Sequence, residues 1–171
     1  MLWIIERGVT MKANSFIGNA IVVSALSLSP FVANAGSVPG WEIKLNAAQG
    51  SAGINMYLGQ RVDATDGIDG YYDVPAFTSD GFDAHLSLEG GRYWRDIRQY
   101  RQGSTKTWRI EIQPDGSGPV SLRWKPADIP PNVTVLLVDT VSGTIIDMKQ
   151  DSEYEVQPDT TRELRIEAVT R

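Results

Sequence analysis

The stretch from Thr107 to Lys125, TWRIEIQPDGSGPVSLRWK, constrains this chain more than any other. Trp108, Ile110 and Ile112 alternate with Thr107, Arg109 and Glu111. Beyond PDGSG, Val120, Leu122 and Trp124 alternate with Ser121, Arg123 and Lys125. Successive side chains of a strand point to opposite faces, so strict period-two alternation sets the apolar residues on one face and the polar ones on the other. Asp115-Gly116 is turn chemistry, and the two runs are expected to form a β-hairpin.

The same texture covers most of the chain after residue 40. WEIKLNAA (41–48) and GINMYLG (53–59) flank a Gly-Ser turn and read as another hairpin. VTVLLVD (133–139) is apolar enough for a central strand. Ser142-Gly143 then turns the chain into TIIDM, and SEYEV follows. In RELRIEAV, Leu164, Ile166 and Ala168 share one face. PADIPP (126–131) is a connection, because proline cannot sit inside a sheet. Nine or ten short strands at regular spacing, with no long helical period, predict an all-β fold: a two-sheet antiparallel β-sandwich, immunoglobulin-like or jelly-roll.

From Met11 the chain reads MKANSFIGNAIVVSALSLSPFVANAG: a positive start at Lys12, an apolar run from Phe16 to Val32, and small residues at Ala33 and Ala35. That is the layout of a secretory signal peptide cleaved after Ala35, with Met11 as a candidate true start. The expected organisation is a signal peptide over residues 1–35 and a single sandwich domain over 36–171, secreted or held at the cell surface. Removing Glu6, Arg7 and Lys12 with the signal takes the net charge from −5 to −6. An acidic exported protein is a poor partner for nucleic acid, whose phosphates demand a basic surface. No second apolar run reaches membrane length, so no stable insertion is expected after cleavage. There is no cysteine and only one histidine, His85. This excludes disulfides, thiolate sites and multi-histidine zinc sites, and nothing around His85 resembles a nucleophile elbow. No catalytic constellation is legible, and the chain is expected not to be an enzyme.

The longest connection runs from Leu58 to about Ala84, and connections of that length are often functional. It holds Asp63, Asp66, Asp69 and Asp73, then Asp80 and Asp83, with the pattern [ST]-D-G-[IF]-D at 65–69 and again at 79–83. Calcium takes six to eight oxygen ligands in flexible geometry, and an aspartate-rich, glycine-bent loop supplies them. The same residues also build plain turns, since aspartate bonds its own backbone and glycine accepts positive φ. The spacing is not that of an EF-hand. Calcium is therefore the one cofactor expected, set against a turn reading of the same six residues.

Tyr71, Tyr72 and Trp94 are the candidate ligand-binding rings, able to stack on a sugar or a peptide. The competing role for the loop aromatics, including Phe77, Phe82 and Tyr93, is to cap the open end of the core. Arg92, Arg95, Arg98 and Arg101 recur every third residue, a spacing that alternates faces on a strand and makes no single patch.

Three pieces in order carry a family resemblance: LGQRVDATDGIDGYYDVP, YWRDIRQY and WRIEIQ…GPVSLRWKPADIPPNVTVLLVDTVSGTIIDM. The chain resembles a β-sandwich module of secreted bacterial surface proteins. That module has an LG…DATDG[IF]D…D.P loop, a DIR strand (here Asp96, Ile97, Arg98) and a W-x-P…LP segment (here Trp124, Pro126, Ile129, Pro130). The resemblance covers nearly all of the chain after the signal and implies no catalytic activity. It implies little about mechanism; the role expected is an extracellular structural or assembly one, with other extracellular proteins or further copies of the chain as partners and polysaccharide as a further candidate. The alternative is a carbohydrate- or peptide-binding module that uses the Asp/Tyr-rich loop.

Overall fold

The computed structural model describes residues 40–156 and 161–171. The expected signal peptide and the alternative start at Met11 lie outside the described residues. Within them the chain is all-β. The strands are β1 (Gly40–Gln49), β2 (Ala52–Arg61), β3 (Val74–Pro75), β4 (Asp83–Leu88), β5 (Gly91–Gln99), β6 (Thr105–Gln113), β7 (Val120–Arg123), β8 (Val133–Asp139), β9 (Ile145–Asp147), β10 (Glu153–Val156) and β11 (Arg162–Thr170). The proline-rich connection forms one 3-10 turn, Pro126–Asp128, and no α-helix occurs among the described residues.

The strands form one hydrogen-bonded ladder in the order β10-β7-β1-β2-β5-β4-β6-β11-β8-β9, with β3 on β5. The ladder curls into a nearly closed, barrel-like arrangement. Near its two ends, Tyr154 of β10 donates its hydroxyl to Asp139 of β8 at 2.8 Å, and the Trp124 indole donates to Met148 O at 2.8 Å. The inward faces meet in one core. Ile43 and Leu45 of β1, Leu86 of β4, Trp108 and Ile110 of β6, Leu122 of β7, Leu137 of β8 and Ile166 of β11 all lie in it, and the Trp41 and Trp108 rings meet edge-on at 6.0 Å.

Alternation predicted these faces correctly, but one pairing differs from expectation. β6 and β7 are not a hairpin: β6 pairs with β4 and β11, and β7 with β1 and β10. Period two says which face is apolar and nothing about the neighbour. Two such faces can sit side by side in one layer or look at each other across the core, and here residues 114–119 arch across. Buried Gln49 clamps the arch, donating to Gly118 O at 2.5 Å and accepting from Asp115 N at 2.8 Å. The β1–β2 and β8–β9 hairpins form as expected. The ladder is not wholly antiparallel, because β2 and β5 run parallel.

β4 and β5 make a further hairpin, at LEGGRYW. Glu89 and Gly90 both take positive φ, 49° and 79°, as a two-residue primed turn requires. A polar tie closes the interior: buried Gln60 accepts from the Trp41 indole (2.9 Å) and the Thr170 hydroxyl (2.8 Å) and donates to Gln99 O (3.2 Å).

Candidate functional site

The long connection begins later than its composition suggests, since β2 runs through Arg61, and it ends where β4 begins at Asp83. Residues 62–82 are laid along β5. Val74 pairs with Arg95 and Pro75 with Tyr93. Ala76 N donates to Arg92 O at 2.9 Å, Gln99 N donates to Thr65 O at 3.0 Å, and Ile97 N donates to Asp73 Oδ1 at 3.0 Å. The loop thus meets backbone groups of β5 that would otherwise form part of an open edge. Beneath it Ala64, Tyr72 and Ile97 make a second small core.

The aspartates do separate jobs. Asp69 Oδ2 accepts from Thr65 N at 2.5 Å, and Asp69 O accepts from the backbone N–H groups of Tyr72 and Asp73 at 3.0 and 2.7 Å. Asp73 returns the favour to Asp69, its Oδ2 accepting from Asp69 N at 2.5 Å. Asp73 is buried, and burial pushes its carboxyl above the ordinary range; the N–H groups of Asp69 and Ile97 pull it back in part. The Asp63 carboxylate accepts from the Tyr72 hydroxyl and pushes that phenol up. Asp66 is exposed and binds Lys106 Nζ at 2.5 Å. Asp80 is exposed. Asp83 is buried against the Arg92 guanidinium. Asp69 and Asp73 are therefore brought together, while Asp66 and Asp83 are held elsewhere by cations. Among the described residues no group of three or more His, Asp or Glu side chains could hold a metal ion.

The rings divide in the same way. Tyr71 stands 85% exposed, edge-on to Tyr72 at 4.9 Å, and Tyr72 is buried and offers no surface to a ligand. Trp94 is half-buried beneath Phe77, with ring centroids 5.4 Å apart, and Phe77 is 73% exposed. Phe82 and Tyr93 join the core. Of the eight large hydrophobic residues exposed among the described residues, five lie in this one connection: Val62, Ile68, Tyr71, Val74 and Phe77. The exposed apolar side chains of the described residues are thus concentrated on this one connection.

The arginine series lies along β5 and past its end, and it makes no patch. Arg92 binds Asp83, Arg95 binds Glu42 at 2.6 Å, Arg98 binds Asp96 at 2.9 Å, and Arg101 donates to Gln99 Oε1 at 3.0 Å. Arg95 is the member that sequence reasoning undervalued. It also donates to Tyr72 O at 3.1 Å and covers the Tyr72 ring at 6.0 Å, tying the loop to β1 and β5. No spacing signal links Arg95 to Tyr72 or Lys106 to Asp66.

Next to the loop lies a buried polar row on β4, β5 and β6. His85 Nδ1 is 3.8 Å from Asp83 Oδ2 and its Nε2 is 3.5 Å from Glu111 Oε2. Burial, and then the Arg92 guanidinium, hold the imidazole below its usual value, against the upward pull of Glu111 and Asp83. An acid stands on either side, but Nδ1 is buried without a hydrogen-bond partner among the described residues, as is Asp83 Oδ1. No known protein family matches the chain, and neither a curated protein nor a solved structure matches it.

Proposed function

We propose that this chain is an exported, non-catalytic module that works by binding another extracellular or cell-surface protein through the 62–82 connection. The observation that carries this is the exposure of Val62, Ile68, Tyr71, Val74 and Phe77 on a loop that Asp69 and Asp73 tie down by hydrogen bonds. A loop held this way keeps its shape before binding, so little ordering entropy is lost on association. Exposed Asp63 and Asp80 belong to the same connection and favour a partner with basic residues around its apolar contact. The curled ladder is read as two layers of a sandwich, with β1 and β7 facing β6 and β8 across the core; the edge-on Trp41–Trp108 contact supports that reading. The signal-peptide pattern in the sequence supports export.

The test is binding of the labelled full chain to the surface of the producing cells. Ile68→Ser with Phe77→Ser should abolish saturable binding while the fold is kept, because both residues are exposed and Phe77 gives up only its edge-on contact with Trp94, worth about 1 kcal/mol. Undiminished binding by this variant would sink the proposal. A sugar-binding reading is favoured by one observation, the free ring of Tyr71. Retention on a neutral polysaccharide that is lost in Tyr71→Ala but kept in Ile68→Ser would replace the protein partner with a glycan.

A further inference from the structure

A second surface, formed by β1 and β7 and remote in sequence from the loop, carries a different chemistry. β1 and β7 pair antiparallel with Asn46 opposite Arg123. Two residues beyond that last paired position stand Lys44 of β1 and Lys125 past the end of β7, and both border the same groove as Asn46 and Arg123. Side chains two apart share a face, so Lys44, Asn46, Arg123 and Lys125 form a square on the outer side of the sheet. Ile43, Leu45 and Leu122 point the other way, into the core. The four residues line one groove of about 260 Å³, together with Trp124 and Asp128.

Like charges placed directly across a ladder destabilise it, and opposite charges are readily available in a chain with net charge −5. On the neighbouring strands Arg92, Arg95, Arg98 and Lys106 each hold an acid. Arg123 has Glu153 at 3.3 Å on its far side, but among the described residues no acid forms an ion pair with Lys44 or Lys125, both of which are exposed. Two unneutralised ammonium groups and a guanidinium thus converge on one groove of an acidic protein.

The rest of the lining narrows the class of anion. Trp124 spends its indole N–H on Met148 O and is buried in the core, so the groove draws its recognition from the exposed polar side chains. The Asn46 amide donates to Asn55 Oδ1 at 3.0 Å, leaving its own Oδ1 as an acceptor for a hydroxyl. Asp128 is a further hydroxyl acceptor. Several hydroxyls beside one carboxylate are the features of a uronic acid, and the volume suits a single pyranose ring. We infer that the β1–β7 groove binds a uronate residue of an acidic polysaccharide, its carboxylate held by Lys44 and Lys125. This site is independent of the protein-binding loop.

The experiment is calorimetric titration of the full chain with hexagalacturonate, with a neutral hexasaccharide and with sodium sulfate, at low salt and at about 0.5 M salt, where screening is short-ranged. The uronate should bind, more weakly as salt rises, and the neutral sugar and sulfate should bind far more weakly. Lys44→Gln combined with Lys125→Gln should cost about tenfold in affinity, with Tyr71→Ala unchanged. Both lysines are exposed, so the double variant should keep the wild-type circular dichroism and melting temperature. Absence of uronate binding would overturn the inference. So would equal affinity in the double variant, equal affinity for the neutral sugar, or sulfate binding as tight as the uronate. Loss of cell-surface binding in the Ile68/Phe77 variant with uronate binding intact would separate the two sites.

Discussion

Replacing Asp73 by alanine tests the claim that this carboxylate completes β5. Ile97 is fully buried, and its N–H has Asp73 Oδ1 as its acceptor at 3.0 Å. Truncation leaves that donor without a partner in a site closed to water, at a cost of about 1–3 kcal/mol, and loses the bond from Asp69 N–H, worth about 1 kcal/mol. Part of this is recovered, because the raised carboxyl shows that ionised Asp73 is itself uncomfortable in the fold. A net loss of about 2–3 kcal/mol follows, which lowers the melting temperature of a domain this size by roughly 10 °C. Linkage gives the sign with pH. A carboxyl raised in the fold contributes stability that is full below the ordinary aspartate value of about 3.9 and is lost as pH rises through the raised value. The gap between wild type and Asp73→Ala should therefore widen as pH falls from neutrality. The assay is thermal unfolding at several pH values, with amide exchange read at Ile97. Asp80→Ala is the control, an exposed aspartate expected to change stability by less than about 0.5 kcal/mol. Equal melting temperatures for Asp73→Ala and wild type, or unchanged protection of the Ile97 amide, would refute the reasoning. Excess EDTA is expected to leave both proteins unmoved, since hydrogen bonds already order the loop.

Two further outcomes follow from buried positions. His85 is held neutral by burial and by Arg92, with Asp83 and Glu111 opposing, so its stabilising contribution is full above the ordinary histidine value of about 6.5 and is lost as pH falls through the depressed one. His85→Gln should flatten the pH dependence of unfolding below about pH 6.5, and identical slopes in the two proteins would count against it. A Cβ at Gly59 would sit 2.0 Å from Trp41 O and 2.8 Å from Glu42 Cα, so Gly59→Ala must force β1 and β2 apart. It should cost about 3 kcal/mol or more, whereas Gly70→Ala meets nothing within 4 Å and should be tolerated; a folded, stable Gly59→Ala chain would show that the two strands are not packed this closely.

The strands and their inward faces were legible because burial writes itself into period two. Trp108 and Trp124, set on the apolar face by alternation alone, are both buried. Partners were less legible. The PDGSG turn joins two correctly read strands that do not pair, since an arch and a hairpin use the same turn residues. In the loop, aspartate and glycine announced turns, and the turns at Asp69 and Asp73 are there. What no local pattern could announce is that Asp73 accepts from Ile97, twenty-four residues on, or that Tyr72 faces inward while its neighbour Tyr71 faces water. Those facts depend on which strand the loop lies against. Lys44 and Lys125 are an extreme case: eighty-one residues apart, they become neighbours only through the β1–β7 register.

The position of β11 bears on how the chain is made. Residues 162–170 lie between β6 and β8 and pair with both, burying Leu164, Ile166 and Ala168. A ribosome delivers β6 and β8 well before it delivers β11. During that interval each presents an unpaired edge beside a bare apolar face, the arrangement most prone to joining a neighbouring chain. Hairpins can form early, but the ladder cannot be joined until β11 slots in, so folding should complete on the slow timescale of long-range β pairing. Loss of those nine residues would leave two open edges at the middle of the sheet, and a chaperone that shields strands would act on the nascent protein there.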